Sequence, residues 1–186
     1  MEQTDYEVLS LDARIFAQLD EEKIRILHTI APDVDSGLAG VTTTFYRHLL
    51  AIPRVQPFLI NHVDNLQHSQ QEWLRQLFSA PFDAEYARRI YELGGLHGEI
   101  QLPAEFMAGA MSIIQGHLIG LLRDVYAEQP ELLLESLLAI NAALGFSLYI
   151  MQEAYQSSSQ NNELERFLAI TGMSRNLFEN LAKAHR

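Results

Sequence analysis

The sequence predicts an all-α protein. Long stretches repeat apolar residues at spacings of three and four, which is the period of a helix buried on one face. Sustained alternation of apolar and polar residues is absent, as are the Asn-Gly and Asp-Gly pairs that favour β-hairpins. Prolines and short polar stretches divide this pattern into separate helices.

The first part of the chain predicts three helical pieces. A short one covers residues 11–19, and Asp20 is placed to cap a second that runs to about residue 30. The sequence Ala31-Pro32-Asp33 is expected to break this helix, because proline lacks the N–H that continues the hydrogen-bond pattern. A longer helix is expected over residues 34–51.

Four further helices are expected in the middle of the chain. The first covers residues 63–79 and stops at Ala80-Pro81, and the second is capped by Asp83 and runs to about residue 101. Prolines suit the first turn of a helix, so Pro103 is expected to open a helix over residues 103–127 and Pro130 one over residues 130–155.

The C-terminal part has a different composition. Residues 156–162 read QSSSQNN, which is typical of a flexible joint. Residues 163–186 predict one amphipathic helix or two short ones, a piece too small to be a domain.

Composition and charge exclude several classes of function. With 186 residues, 48% of them hydrophobic and 20% charged, the chain has enough apolar residues for one domain with a full core. The formal net charge is -11, from 13 Lys and Arg against 24 Asp and Glu. This balance offers no basic face for a phosphate backbone, so nucleic acid is excluded as a partner.

Cysteine is absent, which excludes disulfides, thiolate metal sites and covalent haem attachment through cysteine. The N-terminal sequence MEQTDYEVLS lacks a signal-peptide pattern, so we expect a cytoplasmic protein. Residues 132–151 approach the length of a membrane span but include Glu135, Ser136 and Asn141. This segment therefore predicts a soluble helix buried on more than one side, and no membrane partner.

One histidine has unusual neighbours. The segment YELGGLHGEIQLP places His97 on an apolar, helix-spaced stretch with three glycines, each of which costs about 1 kcal/mol in a helix relative to alanine. A lone histidine on an apolar face is usually structural, but these glycines suggest that something approaches the backbone closely. Gln101 stands where a zinc or di-iron helix would place a second ligand. A single imidazole among apolar walls favours an iron porphyrin, which supplies the other four ligands.

Three segments resemble the sensor domain of globin-coupled sensors, in the order and spacing of that family. They read FYRHLL at residues 45–50, LQHSQQEWLRQLFSAPFDAEY at residues 66–86 and LGGLHGEIQLP at residues 93–103. The likeness extends over about residues 21–155. It implies a globin fold with helices A, B, C, E, F, G and H and no D helix, a short N-terminal helical extension and a C-terminal helical tail. Residues 1–156 would form the sensor globin domain, and residues 157–186 a linker and tail leading to an absent or truncated output module.

The resemblance also implies a site. His97 would be the proximal iron ligand of a b-type haem (iron protoporphyrin IX), with the glycines clearing room for the porphyrin, and Tyr46 the distal tyrosine. Phe45, Leu66 and Ser69 would complete the cofactor-binding residues. Another distal candidate, His68, lies about 200° around the helix from Leu66 and is expected to be exposed.

The function implied is that of a haem-based oxygen sensor, not itself a catalyst, which binds O₂ and also CO and NO. A haem-free globin-fold interaction module is the alternative. A haem enzyme is disfavoured, because no distal acid–base residue is expected to face the haem.

Residues 103–127 carry two apolar stripes, and residues 130–155 are apolar around most of the helix. One globin core cannot cover all of this surface, so we expect a homodimer through these two helices. The alternative is that the amphipathic piece over residues 163–183 covers the second stripe within one chain.

Overall fold

The computed structural model describes residues 4–59 and 63–184. Within these ranges the chain forms α-helices and no strands, which confirms the all-α prediction. The helices are α1 (Tyr6–Ala17), α2 (Glu21–Leu50), α3 (Gln56–Leu59), α4 (Val63–Leu77), α5 (Ala84–Glu99), α6 (Ala104–Val125), α7 (Pro130–Thr171) and α8 (Arg175–Ala184).

Aspartates begin three of the helices. The side chains of Asp5, Asp20 and Asp83 accept hydrogen bonds from backbone N–H groups in the first turns of α1, α2 and α5. These N–H groups have no partner inside a helix, so a carboxylate cap contributes about 1 kcal/mol at each start. The caps expected at Asp20 and Asp83 are confirmed.

The break expected at Pro32 is wrong. Helix α2 runs from Glu21 to Leu50 with Pro32 inside it, so the stretches expected as two helices are continuous. The proline ring is exposed, whereas Ile30 and Val34 beside it are both fully buried. Burying two aliphatic side chains contributes about 1.5–3 kcal/mol each, which offsets the roughly 3 kcal/mol cost of an interior proline.

The flexible joint expected at residues 156–162 is also wrong. Helix α7 passes through this segment and ends at Gly172, whose φ of 69° is left-handed. The segment contains neither glycine nor proline, and serine, glutamine and asparagine each cost a helix well under 1 kcal/mol. Ser158 moreover packs against Gly98 of α5, so this polar segment is part of a packed helix and not a free linker.

The helices pack in two groups around α7. Helix α5 packs on α7 and α1, while α2 packs on α4, α6 and α7. An aromatic cluster of Phe82, Tyr86 and Phe146, with ring centroids 5.1–6.0 Å apart, fixes the start of α5 against α7. This arrangement positions the C-terminal half of α5 at the edge of a cavity.

Two helices of the described chain, α6 and α7, are long and apolar enough to cross a membrane by length and composition. The core helices of globular proteins pass the same test. Half of the most apolar window of α7 is buried inside the protein, as expected of a core helix, but only 28% of that of α6 is buried. The outer face of α6 is therefore apolar surface that its own chain does not cover.

Candidate functional site

A cavity of about 240 Å³ lies between α2, α3, α4, α5 and α6. It is lined by Phe45, Tyr46, Leu49, Val55, Phe58, Leu59, Leu66, Ser69, Gln70, Trp73, Leu93, His97, Ile100, Leu102, Phe106, Met107, Ala110, Met111, Ile114 and Met151. Most of these side chains are apolar, and among the described residues only Tyr46, Ser69, Gln70, Trp73 and His97 bring polar groups to the lining. Because Ser69 and Ile100 are exposed, the cavity opens to solvent beside them.

His97 extends into this cavity from the last turn of α5, where it is half-buried. Its Nδ1 lies 2.7 Å from the carbonyl oxygen of Leu93, one turn earlier. A carbonyl oxygen only accepts, so Nδ1 must carry the hydrogen and donate it. In the neutral ring this leaves the lone pair on Nε2, which is the arrangement of a metal-binding imidazole held by its other nitrogen.

The glycines around His97 have a different role from the one expected. A Cβ on Gly94 would lie 2.6 Å from the backbone oxygen of Met151, and one on Gly98 would lie 2.7 Å from the Cβ of Ser158. Both glycines therefore face α7, not a porphyrin. A Cβ on Gly95 would meet nothing within 4 Å. For Gly94 and Gly98 the expectation that the glycines clear room for haem is wrong, because their missing side chains let α5 approach α7 closely.

Tyr46 lies on α2 and is 6% exposed. Burial raises the pKa of its hydroxyl to about 12, so the hydroxyl is protonated at neutral pH and available as a donor. The neighbouring Phe45 packs edge-on against its ring, with centroids 5.1 Å apart, and limits the positions that the ring can take. Tyr46 thus brings a neutral donor to an apolar cavity wall.

Helix α4 presents Leu66, Ser69, Gln70 and Trp73 to the cavity, at positions one turn apart along the helix. His68 is exposed and is not among the residues that line the cavity, as its helical position predicted. Sequence reasoning found Leu66 and Ser69 but missed Gln70. The signal was available, since Gln70 is four residues after Leu66 and three before Trp73.

All five residues predicted from the sequence therefore line one cavity. His97 and Tyr46 come from α5 and α2, and Phe45, Leu66 and Ser69 complete the set. Their roles toward a cofactor remain predictions.

The donor set fits a haem better than a metal ion held by protein alone. A structural or catalytic zinc needs three or four protein ligands, whereas no group of three or more His, Cys, Asp or Glu suited to a metal occurs within residues 4–59 and 63–184. One imidazole with a free Nε2 and a wall of apolar side chains fits a macrocycle that brings its own four nitrogens. His97 would hold the iron, and Phe45, Leu66 and Met107 would contact the porphyrin.

The chain is similar to known proteins both in sequence and in fold. The chain is 28% identical over 120 residues to the heme-based aerotactic transducer HemAT of Halobacterium salinarum, which covers 62% of this chain and 24% of that protein. The chain thus spans about a quarter of the length of this curated relative.

The fold has a solved counterpart in the globin domain of the Geobacter sulfurreducens globin-coupled sensor. The TM-score is 0.72 at 22% identity, with 78% of this chain and 97% of that domain covered. The globin fold and the resemblance to globin-coupled sensors are confirmed. The sequence also matches the Protoglobin family over residues 11–161. The chain therefore belongs to the Protoglobin family.

Proposed function

We propose that this chain is a haem-based gas sensor which binds O₂ reversibly at a b-type haem held by His97, and is not itself a catalyst. The observation that carries the proposal is the hydrogen bond from His97 Nδ1 to the Leu93 carbonyl, inside an apolar cavity that also contains Tyr46. That bond holds the ring in the tautomer that can bind iron through Nε2. The similarity to a heme-based aerotactic transducer supports the sensing role.

Tyr46 would favour O₂ over CO. O₂ bound at a haem iron carries partial negative charge, and a neutral O–H donor stabilises that charge more than it stabilises bound CO. The raised pKa of Tyr46 keeps the proton on its hydroxyl at any physiological pH. Ser69, at the open side of the cavity, would be a second hydroxyl donor and is more exposed to solvent than Tyr46.

The signal would leave the site through α7. Helix α5 carries His97, and Gly94 and Gly98 bring it into direct contact with Met151, Ala154 and Ser158 of α7. Because the two helices touch closely and partly through their backbones, a movement of His97 with α5 would also displace α7 and could not be absorbed by side chains alone. Helix α7 continues without a break to Thr171, so a displacement would reach the C-terminal tail, where an output module would follow.

The dimer would form through the outer faces of α6 and α7. The exposed face of α6 includes Ala108, Ser112, Gly116 and Ile119, and no Asp, Glu, Lys or Arg lies between Glu105 and Arg123. On α7, Leu134 is 59% exposed and Leu138 53% exposed.

A groove of about 410 Å³ on this surface, lined in part by Ala108, Ser112, Leu138 and Gly145, would receive side chains of the second copy. Small side chains let helices approach closely, so two copies would build an isologous four-helix interface.

The visible absorption spectrum of the purified protein tests the sensor proposal. Reduced protein exposed in turn to O₂ and CO should give distinct, reversible spectra of a haem with one imidazole ligand. A colourless protein that takes up no haem when haemin is added would favour the haem-free interaction module and overturn the proposal.

A further inference from the structure

We propose that Gln70 is a specificity-determining residue of the cavity, whose carboxamide donates a hydrogen bond to the bound diatomic ligand alongside Tyr46. This inference rests on the proposed function. It concerns a residue that the sequence patterns did not single out and that the geometry of α4 brings to the cavity.

The first observation is an unsatisfied polar atom. Gln70 is half-buried and lines the cavity, and its Oε1 is shut off from solvent without a hydrogen-bond partner among the described residues. Buried polar side-chain atoms are nearly always paired in folded proteins, and an exception indicates a functional role or a missing ligand. A carboxamide of this kind inside an apolar pocket can form a hydrogen bond with a polar ligand.

The second observation is where Gln70 lies on its helix. It shares the cavity face of α4 with Leu66 and Trp73, while Gln71, the next residue, does not line the cavity. Leu66 offers no hydrogen bond and Ser69 lies at the open side of the cavity, so Gln70 brings the more buried polar group one turn beyond Leu66. Its Oε1 is shut off from solvent, and a hydrogen bond in a dry site is stronger than one in water.

The third observation excludes a simple structural pairing. Trp73 Nε1, one turn beyond Gln70, is a buried donor that lies beside the Tyr86 hydroxyl and makes no hydrogen bond to Gln70. An indole N–H and a carboxamide oxygen would satisfy each other, yet the two are not bonded here. Gln70 is therefore not committed to supporting the fold through Trp73.

The chemistry of the carboxamide suits a ligand that carries partial negative charge. A half-turn about the last side-chain bond exchanges the oxygen and the NH₂ group at almost no change in shape. The NH₂ group can thus turn toward bound O₂, while the oxygen takes the place that the NH₂ group left. Bound CO is less polar and would gain little, so Gln70 would raise the preference for O₂.

The test compares Gln70→Met with Gln71→Met. Methionine keeps the length and unbranched shape of glutamine without its donor, and Gln71 is a half-buried control on the same helix. In haem-loaded protein we expect Gln70→Met to raise the O₂ dissociation rate about ten-fold, with less than a three-fold change for CO. Its CO complex should also show a shifted C–O stretching frequency in the infrared, because that frequency responds to a nearby donor. Gln71→Met should behave as the unmodified protein does.

Two further measurements separate a ligand contact from a structural role. Haem-free Gln70→Met should melt at the same temperature as the unmodified protein or higher, because an unpaired buried oxygen has been removed. A lower melting temperature would identify a structural residue and overturn the inference. Gln70→Met should also speed O₂ release in a Tyr46→Phe background. If it has no effect there, Gln70 acts only by orienting Tyr46 and makes no direct contact.

Failure of this inference is distinguishable from failure of the proposed function. If Gln70→Met loads haem and releases O₂ and CO at unchanged rates, Gln70 is wrongly assigned and the sensor proposal stands. If the unmodified protein binds no haem, both proposals fail together.

Discussion

Gly94→Ala tests whether α5 and α7 touch where the structure places them. The added Cβ would lie 2.6 Å from the backbone oxygen of Met151, 2.7 Å from its Cα and 3.0 Å from the Cβ of Ala154. Carbon atoms prefer separations of about 3.5–4.0 Å, so the helices would have to move apart by about 1 Å at this point. Two of the three atoms belong to the backbone, so a change of rotamer cannot relieve the contact.

The expected loss of stability follows from two opposing effects. Overpacking a close contact costs about 1–3 kcal/mol, while replacing a helical glycine by alanine returns about 1 kcal/mol. The net loss is therefore up to about 2 kcal/mol, which in a chain of this size lowers the melting temperature by up to about 8 °C. Because α5 carries His97, the displacement should also weaken haem binding.

Gly95→Ala is the matched control. It lies on the same helix and gains the same propensity, but its Cβ would meet nothing within 4 Å. We expect a gain of about 0.5–1 kcal/mol, or about 1–4 °C, in thermal unfolding followed by circular dichroism. If Gly94→Ala proved as stable as Gly95→Ala, the close contact with α7 and the signalling route built on it would both be refuted.

Other variants test the distal donor, the dimer and the long α2 helix. Tyr46→Phe should speed O₂ dissociation about ten-fold or more in stopped-flow traces and leave CO almost unchanged, because a hydrogen bond to a charged group contributes about 1.5–3 kcal/mol; equal changes for both gases would argue against the donor. In sedimentation equilibrium at micromolar concentration the protein should be a dimer of the 21.1 kDa chain. Gly116→Glu should bind haem but be a monomer. Gly40→Glu is the control and should stay dimeric, since a Cβ at either glycine meets nothing within 4 Å. Pro32→Ala should raise the melting temperature, because alanine is more stable than proline inside a helix by up to about 3 kcal/mol. A lower melting temperature would show that α2 needs the proline.

The cavity residues could be predicted because the resemblance to globin-coupled sensors supplied Tyr46, Leu66 and His97, and helical geometry then separated the neighbours of Leu66. Two residues along an α-helix is a rotation of about 200°, so Ser69 was placed on the side of Leu66 and His68 away from it without any coordinates. The same arithmetic applies to Gln70, four residues after Leu66, but the sequence patterns did not single it out. Only the structure shows that this polar side chain is half-buried in the cavity wall.

The errors arose where tertiary packing outweighs local preference. Pro32 predicted a break, but Ile30 and Val34 on either side are buried and keep α2 continuous. Residues 156–162 looked like a linker, but Ser158 packs on Gly98. Gly94 and Gly98 were rightly seen as places of close approach, yet a sequence cannot show which neighbour approaches. Here it is a helix 50 or more residues later in the chain.

The central claim is that His97 holds the iron, and haem binding by His97→Gly tests it most directly. The variant should remain helical by circular dichroism, because the hydrogen bond that is lost is only part-buried and joins two residues of the same helix. We expect it to retain little haem when purified, and to recover haem and a one-imidazole spectrum when imidazole is added to fill the space of the missing ring. Normal haem content with an unchanged spectrum in the absence of imidazole would contradict the account.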